Sequence, residues 1–207
     1  MLRFRVGSTL VLITSLFVTP ALRSQERYTV EPVIGLFVST TAFDGPFGTE
    51  VESNNYTQST AALVGAAGVL WLSSRTGVGA SVAWTPSDVR QGGVSTTTPA
   101  SVMLLSTFLS MKFTPSEDTD LDLRLRAGIA LVGHLGSTYD AYDHPQSLSF
   151  LGSMETTVPI STGLRAAGGL DAYIYNFQLT DPSTGWHYEK RVMIDVAARV
   201  GLTWTIP

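Results

Sequence analysis

The sequence contains no cysteine, which removes any disulfide framework and any lipid-attachment cysteine; an oxidising compartment is permitted but not exploited. Lysine is nearly missing as well, with Lys112 and Lys190 the only two in 207 residues. A soluble domain ordinarily wets its surface with lysine and glutamate, so their scarcity asks for an exterior that does not face water. Past residue 25 no apolar run approaches the ~20 residues a spanning helix needs, and no long helical period is sustained. The chain also lacks a phosphate-binding glycine loop, a His-Glu-x-x-His pair and a nucleophile elbow.

What is present begins with an export layout. Met1–Val6 carries Arg3 and Arg5 and no acid, Gly7–Val18 is uncharged and mostly apolar, and Thr19-Pro20-Ala21 supplies a helix breaker and a small-residue exit. Residues 1–24 therefore read as a secretory signal peptide, cleaved after Ala21 or Ser24, and residues 25–207 as a single domain. Removing Arg3, Arg5 and Arg23 lowers the 13 basic residues to 10 while all 17 acids remain, a net charge of −7. Nothing in that balance offers a footprint for nucleic acid.

The domain divides into eight stretches of alternating pattern, at about 27–40, 58–72, 75–85, 100–114, 119–134, 147–158, 163–178 and 189–206. The last is the clearest. Val192, Ile194, Val196, Ala198, Val200, Leu202, Trp204 and Ile206 share one face, with Asp195, Arg199 and Thr203 on the other. The fifth stretch sets Leu123, Leu125, Ala127, Ile129 and Leu131 against Asp122, Arg124, Arg126 and Gly128, whereas the second (ALVGAAGVLWL) is too uniformly small and apolar to orient. Long polar connections (FDGPFGTEVESNNYTQ, PSDVRQGGVSTTTP, LGSTYDAYDHPQS, TDPSTGWHYE) alternate with tight joins at Ser73-Ser74, Pro115–Asp118 and Pro159–Thr162. Glycine inside nearly every stretch argues against helix, and Gly65, Gly68, Gly77, Gly79, Gly168 and Gly169 suit strong curvature and close side-chain approach within a sheet.

Alternation alone does not say which face is buried, since a soluble barrel or sandwich alternates too. Here the apolar faces carry no charge over spans of 9–11 residues or more, the length needed to cross a bilayer at a tilt of ~45°. The opposite faces are built from Gly, Ser, Ala and Thr with a few charges of both signs. Aromatic residues gather at strand ends: Tyr28, Trp71, Phe113 and Trp204 towards the short-turn rim, Phe37, Trp84 and Phe150 towards the long-loop rim. These read as membrane-interface aromatics. The expected fold is an all-β, eight-stranded antiparallel up-and-down transmembrane barrel. Its lumen would hold Lys112, Arg124, Arg126, Arg165, Arg191 and Arg199 with Glu31, Asp122, Glu155, Asp171 and Asp195. Six positive and five negative groups in a narrow interior must find partners, which favours an occluded lumen over an open pore.

Export layout, eight alternating strands and long and short connections in turn resemble the small bacterial outer-membrane barrels of the OmpA/OmpX type, or the OmpW-like group. The resemblance is architectural, covers residues 27–207 and rests on no short motif. It implies residence in the outer membrane, insertion by the barrel-assembly machinery, and loops that meet lipopolysaccharide or a surface partner. The OmpW-like alternative implies a narrow channel for small apolar solutes. Such barrels usually close on a terminal aromatic; here Trp204 is followed by Thr205, Ile206 and Pro207, so the usual assembly signal is altered.

Candidate chemistry is sparse. His134, His144 and His187 are the only histidines. A lipid-modifying barrel enzyme would need a nucleophile, a base and an orienting acid together; His134 with Ser137 and His144 with Ser147 are the nearest local pairs, with Asp140, Asp143 or Glu155 to orient a base. Asp140, Asp143 and His144 have suitable ligand types for a metal but match no metal-loop spacing. Asp44, Glu50 and Glu52 form an acidic first loop able to bridge divalent cations to lipopolysaccharide. No cofactor is expected. The sequence reads best as a non-enzymatic scaffold.

Overall fold

The computed structural model describes residues 27–43, 45, 56–91, 94–95, 99–115, 120–137, 139–140, 142–143 and 145–206. Eight strands close into a barrel: β1 (Arg27–Ser39), β2 (Ala61–Trp71), β3 (Thr76–Thr85), β4 (Ser101–Phe113), β5 (Asp122–Leu135), β6 (Gln146–Ser161), β7 (Leu164–Phe177) and β8 (Arg191–Ile206). Each pairs antiparallel with its chain neighbours, and β8 returns to β1 through pairs such as Tyr28↔Ile206 and Phe37↔Ala197. The expected up-and-down barrel is the fold observed. Closure leaves no strand edge whose N–H and C=O groups would face hydrocarbon unpaired.

The faces divide as the alternation requires. Along β8, Val192, Ile194, Val200, Leu202, Trp204 and Ile206 are exposed, while Met193, Asp195, Ala197, Arg199 and Thr203 are buried in the lumen. On β5, Leu125, Ile129 and Leu131 point out and Asp122, Arg124 and Arg126 point in. An apolar outside around a charged inside would be unstable in water and is the stable arrangement in lipid.

The strand boundaries move by up to three residues from expectation, and one of these moves has a clear physical reason. β6 continues through Pro159 to Ser161, and the turn falls at Thr162-Gly163 rather than at Pro159–Thr162. The register slips between Leu164 and Arg165, setting Pro159 opposite Arg165. An irregularity of that kind is where a ladder tolerates a residue without an N–H. Gly163, at φ 77°, supplies the left-handed backbone the two-residue turn demands.

Tyr28, Trp84, Phe113, Phe150 and Trp204 lie on the exterior. Trp71 and Phe37 do not: both turn inward, correcting their assignment to the membrane interface. Trp71 lies opposite Gly77 of β3, whose missing side chain leaves room for the indole inside the barrel. Its Nε1–H donates to Thr29 Oγ1 at 3.0 Å, and the Lys112 and Arg124 cations lie 5.8 and 5.4 Å from its ring. A buried tryptophan with a hydrogen-bond partner and cations over its face is better placed there than at the headgroups.

The long connections are themselves folded. Residues 56–58 pair with 89–91, and 89–91 with 94–95. Residues 180–181 pair with 186–187, and single bridges join Phe43 to Tyr56 and Asp143 to Thr180. Asp44, Glu50, Glu52, His144 and residues 1–24 lie outside the described residues.

Candidate functional site

The lumen has two storeys. Towards the short turns, inward positions of five strands bring three arginines and three acids together: Glu31 (β1), Arg124 and Arg126 (β5), Glu155 (β6), Asp171 (β7) and Arg199 (β8). Arg124 and Arg126, two residues apart on one strand, necessarily share the inner face. Arg124 Nη1 donates to Glu155 Oε1 at 3.1 Å, and Arg126 Nη2 lies 2.8 Å from Glu31 Oε2 and 2.9 Å from Glu155 Oε2. Arg199 joins the rest, with Nη1 on Glu31 and 2.7 Å from Glu155 Oε2, and Nε bridging both Asp171 oxygens at 3.0 and 2.9 Å. Small neighbours make the space: Arg199 is flanked across the sheet by Gly35 and Gly169, and Gly169 also faces Glu155.

Arg126 also stacks over Phe108, 5.0 Å from the ring centroid. Phe108 fits because position 79 is glycine; a Cβ there would meet its ring at 2.5 Å. The network is charge-balanced, which is the condition for holding ions away from water. Nearer the turn rim Asp122 faces Arg165 at 3.2 Å and Lys112 at 4.0 Å, and Arg165 Nε donates to Thr157 Oγ1 at 3.0 Å.

One of the expected lumen charges sits elsewhere. Arg191 lies at the long-loop rim, half exposed and 2.7 Å from Glu189, because β8 begins there and its first side chain clears the barrel mouth. Asp195 is buried in the lumen, where it meets a phenol rather than a cation: Tyr175 O–H donates to its Oδ2 at 2.6 Å and lies 3.4 Å from His134 Nε2.

Above Asp195 the upper storey is aromatic. Phe37, Phe43, Tyr56, Tyr139, Phe177, Leu179 and Met193 belong to one buried cluster, and the buried His134 packs against its rings. The His134 ring lies tilted against Phe177, with centroids 4.3 Å apart, and against Tyr139 at 5.2 Å, and Phe43 meets Phe177 edge-on at 5.2 Å. Gln58 Nε2 donates to the Tyr139 hydroxyl at 3.3 Å, and burial raises that phenol above its ordinary range. Phe43, Tyr56, Tyr139 and Leu179 belong to the long connections, so these described loop residues turn inward and pack in the mouth of the barrel. This plug was not foreseen from the sequence; the signal was the aromatic residues embedded in otherwise polar loops. Between the storeys a cavity of about 20 Å³, bordered by Val33, Ala67, Arg126, Asp171, Tyr173 and Arg199, has room for about one water.

No catalytic constellation forms among the described candidates. The His134 ring nitrogens face Pro145 O at 3.1 Å and the Tyr175 hydroxyl, while Ser137 is exposed at the rim. His187 Nδ1 lies 2.9 Å from Thr180 Oγ1. Glu155 is held by arginines in the lower storey, and Asp143 is bound through its backbone to Thr180. Among the described residues no cluster of three histidines or acids could hold a metal.

Fold and exterior together define an outer-membrane β-barrel. Among solved structures the chain is similar to the outer membrane protein AlkL in lipid bilayers, with TM-score 0.62, 8% identity, and 88% of this chain and 90% of that one covered. OprG of Pseudomonas aeruginosa matches with TM-score 0.59 and 9% identity over 87% and 96% of the two chains. Neisserial surface protein A matches with TM-score 0.56 and 7% identity over 86% and 96%. At these identities the likeness is one of fold. No known family profile and no curated protein sequence matches the chain.

Proposed function

We propose that this protein is a non-enzymatic scaffold of the outer membrane, exported by residues 1–24 and inserted by the barrel-assembly machinery. In this reading its lumen is closed and its loop rim meets lipopolysaccharide or an extracellular partner. The observation that carries it is what the described residues place in the interior: a balanced Arg/Glu/Asp network below and buried aromatic rings above. A conducting pore would need a polar path past both storeys, and an enzyme would need a base within reach of a nucleophile.

Planar-bilayer recording of the refolded chain tests the closed lumen. The expected result is a silent bilayer; steady, resolved conductance steps would overturn the scaffold reading in favour of a narrow channel. The non-enzymatic part is tested by incubation with labelled phospholipid and lipid A. Turnover lost in His134→Ala would overturn it.

A further inference from the structure

The outer wall near the loop rim carries a feature that the closed lumen does not use. The register across β6, β7 and β8 stacks outward side chains in rows. Phe150, Ile174 and Ile194 form one row through the pairs Ile174↔Phe150 and Ile174↔Ile194. One step up, Asn176 pairs with Val192, and continuing the β6 register sets Leu148 beside Asn176. Beyond the paired ladder, Gln146, Gln178 and Lys190 border a common groove. The wall therefore passes from apolar to polar towards the loop rim. Phe150 and Leu148, 75% and 69% exposed, are the most exposed large apolar side chains of the described barrel.

A groove of about 340 Å³ opens at that transition, bordered by Gln146, Leu148, Asn176, Gln178, Thr180 and Lys190. Among the described residues, the side chains of Gln146, Asn176 and Lys190 make no hydrogen bond or ion pair within the protein. Lys190 is one of two lysines in the chain, and the other, Lys112, faces the lumen. One ammonium and two carboxamides thus border a groove beside an exposed apolar wall.

We propose that this groove binds the phosphorylated headgroup of an outer-leaflet glycolipid of the lipid A kind. Lys190 and the amides of Gln146 and Asn176 would take the phosphate, and the acyl chains would lie against Leu148, Phe150 and Ile174. The assignment rests on the outer-membrane reading and names the lipid contact left general there. An ammonium plus amide donors is the chemistry of an anionic, oxygen-rich group, and attraction at the bilayer surface is worth having only if the ligand is held in the leaflet. The long-loop rim is the external rim in such barrels, where that leaflet lies.

The test is lipid retention by the refolded full barrel in phosphatidylcholine nanodiscs doped with bis-phosphorylated lipid A, dephosphorylated lipid A or phosphatidylglycerol, read by native mass spectrometry. Wild type should retain bis-phosphorylated lipid A above the other two. Lys190→Gln should lower that retention about tenfold, the loss of one charge-assisted hydrogen bond. Arg75→Gln, which removes an exposed cation at the opposite rim, should leave it unchanged. Equal retention of dephosphorylated lipid A or of phosphatidylglycerol would overturn the proposal, as would equal losses in the two variants or no loss in Lys190→Gln. Heat-modifiable gel migration checks that each variant is folded. A silent bilayer with no lipid A preference would sink this site and leave the scaffold standing, whereas conductance with intact preference would do the reverse.

Discussion

The two storeys of the lumen fill the same cylinder by opposite chemistry. Below, β1, β5, β6, β7 and β8 each contribute to an interlocked set of ions, every member placed by the barrel wall itself. Above, buried rings from the loops pack around His134 and Tyr175, and half of the plug is not wall at all. The lower storey is therefore tied to the integrity of the whole ring, and the upper one to the local folding of the loops. Buried ions add little net stability when paired, but stranding one partner is severe. Apolar packing degrades more gradually, because neighbours relax and, near a mouth, water can enter.

That contrast is most sharply broken by Glu155→Leu, which leaves Arg124, Arg126 and Arg199 short of an acid in the interior. Its expected cost is about 3–5 kcal/mol of barrel stability, measured from the urea midpoint at which heat-modifiable migration is lost. The rim control Arg191→Leu should stay within about 0.5 kcal/mol of wild type. Equal effects of the two would mean that the lower storey is ornamental.

Phe177→Ala comes next. Losing the ring that touches both Phe43 and His134 should cost about 3 kcal/mol, felt chiefly in the loops. Limited proteolysis should then cut the connections faster while the urea midpoint moves less than in Glu155→Leu. Coincident loss of loops and barrel would erase the distinction between storeys.

The smallest effect lies furthest from the lumen. Hydroxyl and backbone hydrogen bonds from Ser183, then Thr184, hold Asp181 below its ordinary 3.8. A depressed carboxyl stabilises the hairpin fully above its unfolded value and loses that contribution as pH falls through the depressed one. Acidification below about pH 4 should therefore shift the Ser183 and Gly185 amide resonances, the latter bonded to Asp181 O, without changing barrel migration. A hairpin spectrum unchanged down to pH 2 would remove Asp181 as its anchor.

The wall was readable because a period of two is a strong signal when one face is lipid and the other is not. β5 and β8 could be oriented residue by residue, and their boundaries move by only a few positions in the structure. β2 could not, since Ala, Gly, Val and Leu are at home on either face; the inward turn of Trp71 follows from Gly77 on the neighbouring strand, a pairing that a linear pattern does not show. The lumen charges could be named from parity, but not their partners. That Asp195 meets Tyr175 while Asp171 meets Arg199 depends on height along the axis and on which neighbouring positions are glycine. The plug was illegible for a further reason: a polar loop carrying two or three scattered aromatic residues has no period at all. Only three-dimensional closure shows that Phe43, Tyr56 and Tyr139 converge.

The link between Glu31 and Arg199 spans 168 residues of chain, and it has a meaning in time as well as in space. Glu31 meets Arg126 of β5, but its contact with Arg199 exists only when β8 pairs with β1 and closes the ring. Contacts of such long range form late and slow the search for the native state. The pair thus acts as a latch on closure: a sheet one strand short, or closed out of register, would leave an acid and an arginine facing each other's absence. A barrel built this way is marked as finished by its own interior.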